Sequence, residues 1–464
     1  MRVPSIKLVI CDVLAAVLFA GVPFASPAHS QTVTALLSFP GQNGTGAGPE
    51  AAVTQGRDGE LYGTTRNGID GSIFKVSTSR AFEELYSFGI HDGGCCSVAA
   101  LTLAGDGYFY GVTQLGGSTG NGSLFKISPS GSYTEIYEFD GKTNGGTPAS
   151  APIQASDGNL YGITDNGFGT GSTVYRYTLS GSLSTIYQFS GAYSRDAPLI
   201  QASDQFLYGT TAIGGSANCG AVFQMSTAGV LLQSVPFLCN AGGSFPGPLM
   251  QASDGNFYGT TTEGGVKNQG TIFKMTPDFQ LSILYTFLGQ SNGGVDGADP
   301  LPGLIQATDG NLYGATTEGG SFGEGTLFRI STDGTYELLY SFGGSTGVFP
   351  EGNLMQHTNG MLYGTASKGG AKKLGTVYQV DLGLSPFIAL VRYTGRVGQP
   401  VQILGQGLTG STGVAINGIA ATSFKVVSDT YMTAVIPSGA TTGPVVVTTP
   451  NGTLTNNHNL LVVR

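Results

Sequence analysis

The sequence contains no tryptophan, and only 11% of its 464 residues are charged. Ordinary soluble domains carry about 25% charged residues. Its 25 phenylalanines and 21 tyrosines can bury a large apolar area, which excludes charged, low-complexity disorder. The 76 glycines do not recur at every third residue, which excludes collagen, and each would cost about 1 kcal/mol inside a helix. The composition therefore predicts an all-β protein with many turns.

Residues that bind metals or carry out catalysis are also scarce. The chain has four histidines and five cysteines, and neither type follows the spacing of a zinc site. No Ser-His-Asp order, phosphate-binding loop or paired-carboxylate motif stands out. We therefore predict no metal and no cofactor. A formal net charge of −9 argues against nucleic acid as a partner.

The first 30 residues are typical of an export signal. Arg2 and Lys7 precede an apolar stretch over residues 8–24, and Ala28-His29-Ser30 is a small-x-small cleavage site. The alternative is a membrane anchor, but Asp12 and Pro23 interrupt the roughly 20 apolar residues that a span needs. We expect a secreted, periplasmic or cell-surface protein, with no membrane span after signal removal and no C-terminal anchor.

Four cysteines remain after residue 30. Cys219 and Cys239 flank a predicted hairpin centred on Gly229, so they would face each other across its open end. Cross-strand Cβ atoms lie about 4.5–5.5 Å apart, which predicts a disulfide in an exported protein. For Cys95 and Cys96 an adjacent bridge, two free thiols and an intermolecular pair all remain open.

Internal repetition is the strongest signal in the chain. A Tyr-Gly pair recurs seven times at intervals of 47 to 55 residues, at Tyr62, Tyr110, Tyr161, Tyr208, Tyr258, Tyr313 and Tyr363. Each copy contains a short apolar strand, an Asp-Gly-Asn type turn, a Tyr-Gly strand, a Gly-Gly loop and a third strand, and a Leu-Tyr-Ser-Phe type strand follows each of the first six copies. Four strands in about 50 residues predict one blade of a β-propeller.

The two ends of the repeat region complement each other. The Leu-Tyr-Ser-Phe type strand is absent after the seventh copy, whereas a lone Leu36-Leu37-Ser38-Phe39 precedes the first. We predict a ring of seven blades over residues 31–382, in which the N-terminal strand completes the last blade. Such closure removes exposed sheet edges, whereas an open array would leave both ends unpaired.

The repeated motifs resemble the bacterial GloVer tandem repeat of the "choice-of-anchor" proteins. The resemblance covers about residues 36–382, although Asn67-Gly68, Asn166-Gly167 and Asp204-Gln205 depart from the Gly-Gly and Asp-Gly patterns. It implies an exported protein and no established reaction.

The composition changes after Leu382. Residues 383–386 are a predicted linker, and residues 387–464 contain six or seven short β-branched runs separated by turns. This pattern predicts an immunoglobulin-like sandwich. The segment is similar to the IPT/TIG domain through Gly405-Gln406-Gly407-Leu408, Asn417-Gly418 and Pro437-Ser438-Gly439, which implies a spacer or an interaction module.

The repeated polar and aromatic residues are interpreted as scaffold. One carboxylate in each Asp-Gly-Asn turn is too few for calcium, so the aspartate is expected to cap its turn. The same turn resembles the sialidase Asp-box, but the tryptophan expected there is absent. The repeated Tyr and Phe residues are expected to pack between sheets.

Candidate ligand-binding residues are the charges that differ between copies. The Gly-Gly loops and the connections between blades are predicted to share one face of the ring. Solvated loop charge is the alternative interpretation of the charged residues there, which are Arg66, Asp165, Glu263, Asp296, Asp299, Glu318 and Lys368.

Two functions are compatible with these patterns. The first is a non-catalytic binding or surface-interaction protein with a cell-surface glycan or protein as partner. The second is a secreted glycoside hydrolase or polysaccharide lyase that uses carboxylates on the loop face.

Overall fold

The computed structural model describes residues 31–41, 46–66, 71–89, 99–148, 150–165, 171–192, 197–239, 242–289 and 296–463. These residues form an all-β fold without an α-helix. Within them, no helix is long and apolar enough to cross a membrane. The predicted signal segment, Cys95 and Cys96 lie outside the described residues.

Residues 32–381 form seven four-stranded sheets, which we number in chain order. Within each sheet all the strands pair in antiparallel fashion. The first strand of the chain is β1 (Thr32–Ser38). The strands of sheets 1 to 4 are β2 (Thr54–Gln55), β3 (Leu61–Thr65), β4 (Ser72–Val76), β5 (Phe82–Ser87); β6 (Thr102–Leu103), β7 (Phe109–Thr113), β8 (Ser123–Ile127), β9 (Tyr133–Glu138); β10 (Ile153–Gln154), β11 (Leu160–Thr164), β12 (Thr173–Thr178), β13 (Ser182–Gln188); and β14 (Ile200–Gln201), β15 (Leu207–Thr211), β16 (Ala221–Met225), β17 (Leu231–Pro236). The later strands are β18 (Ser244–Gln251), β19 (Phe257–Glu263), β20 (Thr271–Met275), β21 (Leu281–Thr286) in sheet 5; β22 (Ile305–Gln306), β23 (Leu312–Thr316), β24 (Thr326–Ile330), β25 (Tyr336–Ser341) in sheet 6; and β26 (Met355–Gln356), β27 (Leu362–Ala366), β28 (Thr376–Asp381) in sheet 7.

The N-terminal strand completes sheet 7. β1 pairs antiparallel with β28, from Thr32 opposite Asp381 to Ser38 opposite Thr376. The strand order of this sheet is β1-β28-β27-β26. The pairing predicted for the orphan Leu36-Leu37-Ser38-Phe39 strand is therefore present, and it brings the two ends of the repeat region together.

The repeated aspartate caps its turn, as predicted. In sheet 5 the Asn256 backbone N–H donates to Asp254 Oδ1 at 3.0 Å, which closes the turn between β18 and β19. The second carboxylate oxygen accepts the Tyr258 hydroxyl at 2.8 Å. The same tyrosine-to-aspartate bond recurs in sheets 1 to 6, at 2.7 to 2.8 Å. The Asp and Tyr of the motif therefore form one structural unit.

The repeated aromatic residues lie in the core, as predicted. Each Tyr of the Tyr-Gly pair is at most 3% exposed. Tyr62 of sheet 1 stacks on Phe109 of sheet 2 with ring centroids 4.1 Å apart. The glycine after the tyrosine leaves space for a ring from the third strand, because a Cβ at Gly259 would lie only 2.5 Å from Phe273 Cζ.

Residues 389–463 form three further sheets around a separate apolar cluster that includes Ile403, Ile416 and Val447. One sheet has the order β29-β31-β35-β34, a second has the order β33-β32-β36-β37, and β30 pairs in parallel with β38. Their bounds are β29 (Ala389–Leu390), β30 (Thr394–Arg396), β31 (Pro400–Leu404), β32 (Gly413–Ile416), β33 (Ile419–Ala420), β34 (Phe424–Ser428), β35 (Tyr431–Val435), β36 (Val445–Thr449), β37 (Gly452–Thr455) and β38 (Leu461–Val463).

The predicted disulfide is present. Cys219 and Cys239 are bonded, with their Cα atoms 5.4 Å apart. The bond joins the loop before β16 to the segment after β17, so it fastens the two ends of one hairpin. A disulfide of this kind is typical of extracellular and periplasmic proteins.

Candidate functional site

The Gly-Gly loops and the connections between sheets meet at one end of the sheets, as predicted. The backbone N–H of Arg66, which follows β3, donates to Gly48 O at 3.1 Å. Thr317 donates to Asp299 O at 3.0 Å, and Ser367 to Phe349 O at 3.1 Å. We call this end the loop face, and the opposite end, which carries the Asp-Gly turns, the turn face.

Four charged side chains converge on the loop face where sheet 7 meets sheet 1. Arg66 Nη1 forms an ion pair with Glu50 Oε2 at 2.8 Å. Glu351, in the connection before β26, accepts the Ser367 hydroxyl at 3.1 Å. Lys368 directly follows Ser367, and its Nζ lies 5.1 Å from the centroid of the Phe349 ring. We call Glu50, Arg66, Glu351 and Lys368 the seam cluster.

Glu351 has the most perturbed environment of the seam cluster. Burial raises the pKa of its carboxyl, and the negative charge of Glu50 raises this pKa further. The Ser367 hydroxyl, Lys368 and Arg66 act in the opposite direction. The two carboxylates therefore sense each other electrostatically although they are 301 residues apart in the chain. Glu50 forms an ion pair with Arg66, whereas Glu351 is the carboxyl whose pKa is raised by burial.

The backbone beneath the seam cluster is held in an unusual conformation. Phe349 precedes Pro350 and has a φ of 57°, in the left-handed region that a bulky residue rarely adopts. Its N–H donates to Glu324 O of sheet 6 at 3.0 Å, and its carbonyl accepts from Ser367 of sheet 7. The residue thus joins two neighbouring sheets and fixes the start of the segment that carries Glu351. The same left-handed conformation recurs directly before a proline in other connections, so it belongs to the repeated scaffold; these residues are Thr147, Phe245 and Asp299.

Two of the predicted candidates are held by contacts of their own loops. Asp296 Oδ2 accepts the Tyr285 hydroxyl at 2.8 Å and the Leu288 N–H at 3.1 Å. Asp299 Oδ2 accepts the Thr317 hydroxyl at 2.9 Å. These bonds brace the connection between sheets 5 and 6.

The other predicted candidates lie on the loop face around the same end of the sheets. Arg66 and Lys368 belong to the seam cluster. Glu318 is exposed and pairs through its backbone with Ala298, and Glu263 is exposed at the end of β19. The Asp165 backbone N–H donates to Thr147 O at 3.4 Å.

Glu50 and Glu351 are the site residues that our sequence reasoning missed. Both follow a proline at the same position of the connection, in Pro49-Glu50 and Pro350-Glu351. The seam cluster can bind a polar ligand through two carboxylates and two cations. No group of three or more His, Cys, Asp or Glu side chains in the described part of the chain could hold a metal ion.

Several solved structures resemble this chain, and they are β-propeller-like proteins. The extracellular domain of a protein assigned as a hybrid two component system of B. thetaiotaomicron has a TM-score of 0.50 at 11% identity, over 93% of this chain and 57% of that chain. An oligogalacturonate lyase from Vibrio parahaemolyticus has a TM-score of 0.48 at 14% identity, over 75% and 93%. A periplasmic gluconolactonase from Pseudomonas aeruginosa has a TM-score of 0.45 at 17% identity, over 70% and 97%. At these identities the likeness concerns the fold alone.

The sequence comparisons define the family. No curated protein sequence matches the chain. The Gloeobacter/Verrucomicrobia repeat matches residues 19–198, 154–295 and 285–414, which together span most of the chain. The chain therefore belongs to the Gloeobacter/Verrucomicrobia repeat family.

Proposed function

We propose that this protein is an exported, non-catalytic binding protein whose loop face takes a polar ligand at the seam cluster. In this proposal residues 1–30 are a cleaved signal peptide and residues 31–382 form a closed seven-bladed propeller. Residues 383–386 are a linker, and residues 387–464 are an immunoglobulin-like domain similar to IPT/TIG. Seven four-stranded sheets and the β1–β28 pairing support the ring. The disulfide supports export to an oxidising compartment.

The convergence of non-repeated charges at one joint carries the proposal. Most residues of a repeat build the scaffold, so a ligand site is expected where the copies differ. Glu50 and Glu351 occupy corresponding positions of neighbouring sheets, and Arg66 and Lys368 lie in the corresponding loops, four and five residues after the tyrosine of their Tyr-Gly pairs. By contrast, Asp296 and Asp299 are engaged in bracing a loop. Only 11% of residues are charged, so four charges at one joint are a marked concentration.

The ligand class follows from the balance of charge. Two carboxylates and two cations give a neutral site rich in hydrogen-bonding groups, which suits a glycan better than a strongly charged polymer. We therefore propose a cell-surface glycan as the partner.

A binding assay with matched variants tests this function. Purified protein from residue 31 onward is incubated with immobilised glycans and peptidoglycan, and the bound fraction is measured. We expect Glu351→Gln and Arg66→Ala to weaken binding at least tenfold. Glu337→Gln is the control, because it removes the exposed Arg329–Glu337 ion pair of sheet 6. Equal binding by all variants would contradict the seam cluster as the ligand site.

A glycoside hydrolase or polysaccharide lyase is the second candidate, and one observation favours it. Glu351 and Glu50 are neighbouring carboxylates in unequal environments, since only Glu50 forms an ion pair with an arginine. Unequal carboxylates of this kind are how acid and base roles are divided at one site. Turnover of a bound glycan that disappears in Glu351→Gln would establish this alternative. Binding without turnover would exclude it for that glycan.

A further inference from the structure

A glutamine links neighbouring sheets at six of their seven joints. In each case the glutamine ends the strand that precedes the turn of its own sheet, which we call the inner strand. A backbone N–H in the turn of the preceding sheet donates to the glutamine Oε1. For example, Ser253 of sheet 5 donates to Gln306 of sheet 6 at 2.7 Å. The distances range from 2.7 to 3.0 Å, at Gln154, Gln201, Gln251, Gln306, Gln356 and Gln55. The last of these links sheet 7 to sheet 1.

The joint between sheets 1 and 2 lacks this link because Leu103 occupies the glutamine position. Two other polar side chains bridge the joint instead. Arg57, in the turn of sheet 1, donates from Nη2 to Gly105 O of sheet 2 at 2.8 Å. Gln402 Nε2, on β31 of the C-terminal sheets, donates to the same carbonyl at 2.7 Å. Arg57 Nη2 also donates to Gln402 Oε1 at 2.9 Å, which closes a three-membered network.

The C-terminal sheets contact the turn face on both sides of this joint. Toward sheet 7, Gln406 Nε2 donates to the Thr358 hydroxyl at 3.2 Å, and the Phe387 N–H donates to Thr358 O at 3.1 Å. Toward sheet 3, Arg392 Nη2 donates to Ser156 O at 2.9 Å. Four consecutive sheets, 7, 1, 2 and 3, are therefore tied to one segment of the chain.

Apolar and cationic contacts reinforce the same interface. Leu404 and Tyr431 share a buried cluster with Tyr62 of sheet 1 and Phe109 of sheet 2. The Arg57 guanidinium lies 4.7 Å from the centroid of the Tyr431 ring, and the Thr430 hydroxyl donates to Arg57 O at 2.7 Å. A half-buried, partly desolvated arginine on an aromatic face contributes more than an exposed one.

The contact positions are also where the turns depart from the repeat. Sheets 3 and 5 have Ala-Ser-Asp-Gly-Asn in this turn, whereas sheet 1 has Gly-Arg-Asp-Gly-Glu. Sheet 2 has glycine at Gly105, and sheet 7 has His357 where the other sheets have alanine or glycine. His357 Nε2 lies 2.9 Å from Gly59 O of sheet 1, so this departure also joins sheets 7 and 1. The departures in the turns of sheets 7, 1 and 2 therefore coincide with the contacts that these turns make with one another and with the C-terminal sheets.

We propose that residues 387–463 act as an intramolecular clasp on the propeller. The clasp supplies Gln402 in place of the glutamine that the joint between sheets 1 and 2 lacks, and it spans the closure between sheets 7 and 1. Those two sheets carry the seam cluster at their opposite end. In this role the C-terminal segment covers the turn face of its own chain. A spacer, by contrast, would leave the turn face uncovered.

Hydrogen exchange on the full mature chain tests the clasp. We expect Gln402→Ala to speed amide exchange over residues 56–60 and 103–107 roughly tenfold, because hydrogen bonds that hold both turns are lost. Gln399→Ala is the matched control: its side chain is exposed on the same segment, and it should leave those amides unchanged. Thr430→Val, which removes only the hydroxyl bonded to Arg57 O, should speed exchange over residues 56–60 and leave the fold intact.

A double-mutant cycle separates a shared network from independent contacts. If Arg57 and Gln402 act together, the exchange rates of Arg57→Ala/Gln402→Ala should equal those of the more affected single variant. Rates in Gln402→Ala and Thr430→Val no faster than in Gln399→Ala would overturn the clasp. Fully additive effects of Arg57 and Gln402 would overturn the shared network.

Discussion

Replacing Gln55 with alanine should weaken the joint between sheets 7 and 1. Gln55 Nε2 donates to the Thr358 hydroxyl at 2.8 Å, and the Thr358 N–H donates to Gln55 Oε1 at 3.0 Å. Both residues are buried, with Thr358 at 0% exposure. Two net hydrogen bonds contribute about 2 kcal/mol, and a buried amide left without a partner costs about 1–3 kcal/mol. Because water can partly replace the lost bonds, we expect a loss of about 2–4 kcal/mol in the free energy of unfolding.

Gln201→Ala is the matched control for this prediction. Gln201 makes the same link to the Ser156 N–H at 2.7 Å, and its Nε2 also donates to the Ser156 hydroxyl and to Gln205 O. Gln201 and Ser156 are only half-buried, so water can replace these bonds. We expect a loss of about 1 kcal/mol there. Urea unfolding of both variants measures the difference in their free energies of unfolding, provided that their m-values are equal. A loss in Gln55→Ala no larger than that in Gln201→Ala would refute the argument that burial strengthens the joint between sheets 7 and 1.

Four further predictions concern stability. Reducing the Cys219–Cys239 bond, which closes a loop of 20 residues, should cost about 3 kcal/mol, as read from unfolding with and without reductant. Leu36→Ala on β1 should cost about 2–5 kcal/mol, because Leu36 is 4% exposed, and a cost below 1 kcal/mol would mean that β1 does not pack as described. Burial lowers the pKa of His357, so the unfolded chain takes up a proton more readily and stability should fall as the pH drops below about 6.5; His357→Gln should remove this part of the pH dependence. Burial, together with a hydrogen bond and charge from Glu138, raises the pKa of Glu135 to about 7. The free energy of unfolding should therefore fall as the pH rises from about 4.5 to 7, by at most about 1 kcal/mol after solvent screening. Glu135→Gln should flatten this pH dependence.

The scaffold could be predicted from the sequence because its signals are local and repeated. Asp254-Gly255-Asn256 specifies a capped turn wherever it occurs, and a tyrosine two residues after the asparagine reaches back to the aspartate. The pairing of β1 with β28 followed from counting strands, since one copy lacked what the N-terminus offered. The Cys219–Cys239 bond followed from hairpin geometry alone.

The site could be predicted only in part because it depends on which copies become neighbours. Arg66 and Lys368 were predicted as loop charges. Glu50 and Glu351 become neighbours only through the contact between the first and last sheets, which the sequence does not show directly. Asp296 and Asp299 had the same sequence signal, yet hydroxyls from Tyr285 and Thr317 engage them. Partners of this kind cannot be read from spacing.

The clasp escaped prediction for a related reason. Arg57 and His357 were visible as departures from the repeat, but a departure does not identify its partner. Gln402 lies 345 residues from Arg57 in the chain, and only the folded arrangement places its amide on Gly105 O. The glutamine at the end of six of the seven inner strands was a repeated signal that could have indicated the links between sheets.

The most direct test of the seam cluster is a hydrogen-exchange footprint of the mature protein with a bound glycan from the binding assay. We predict that protection on binding is confined to residues 46–53, 63–66, 347–353 and 364–370, which form the loop face where sheets 7 and 1 meet. Protection that falls instead on the turn face, or on the outer strands of sheets 4 to 6, would contradict the assignment of this cluster as the ligand site.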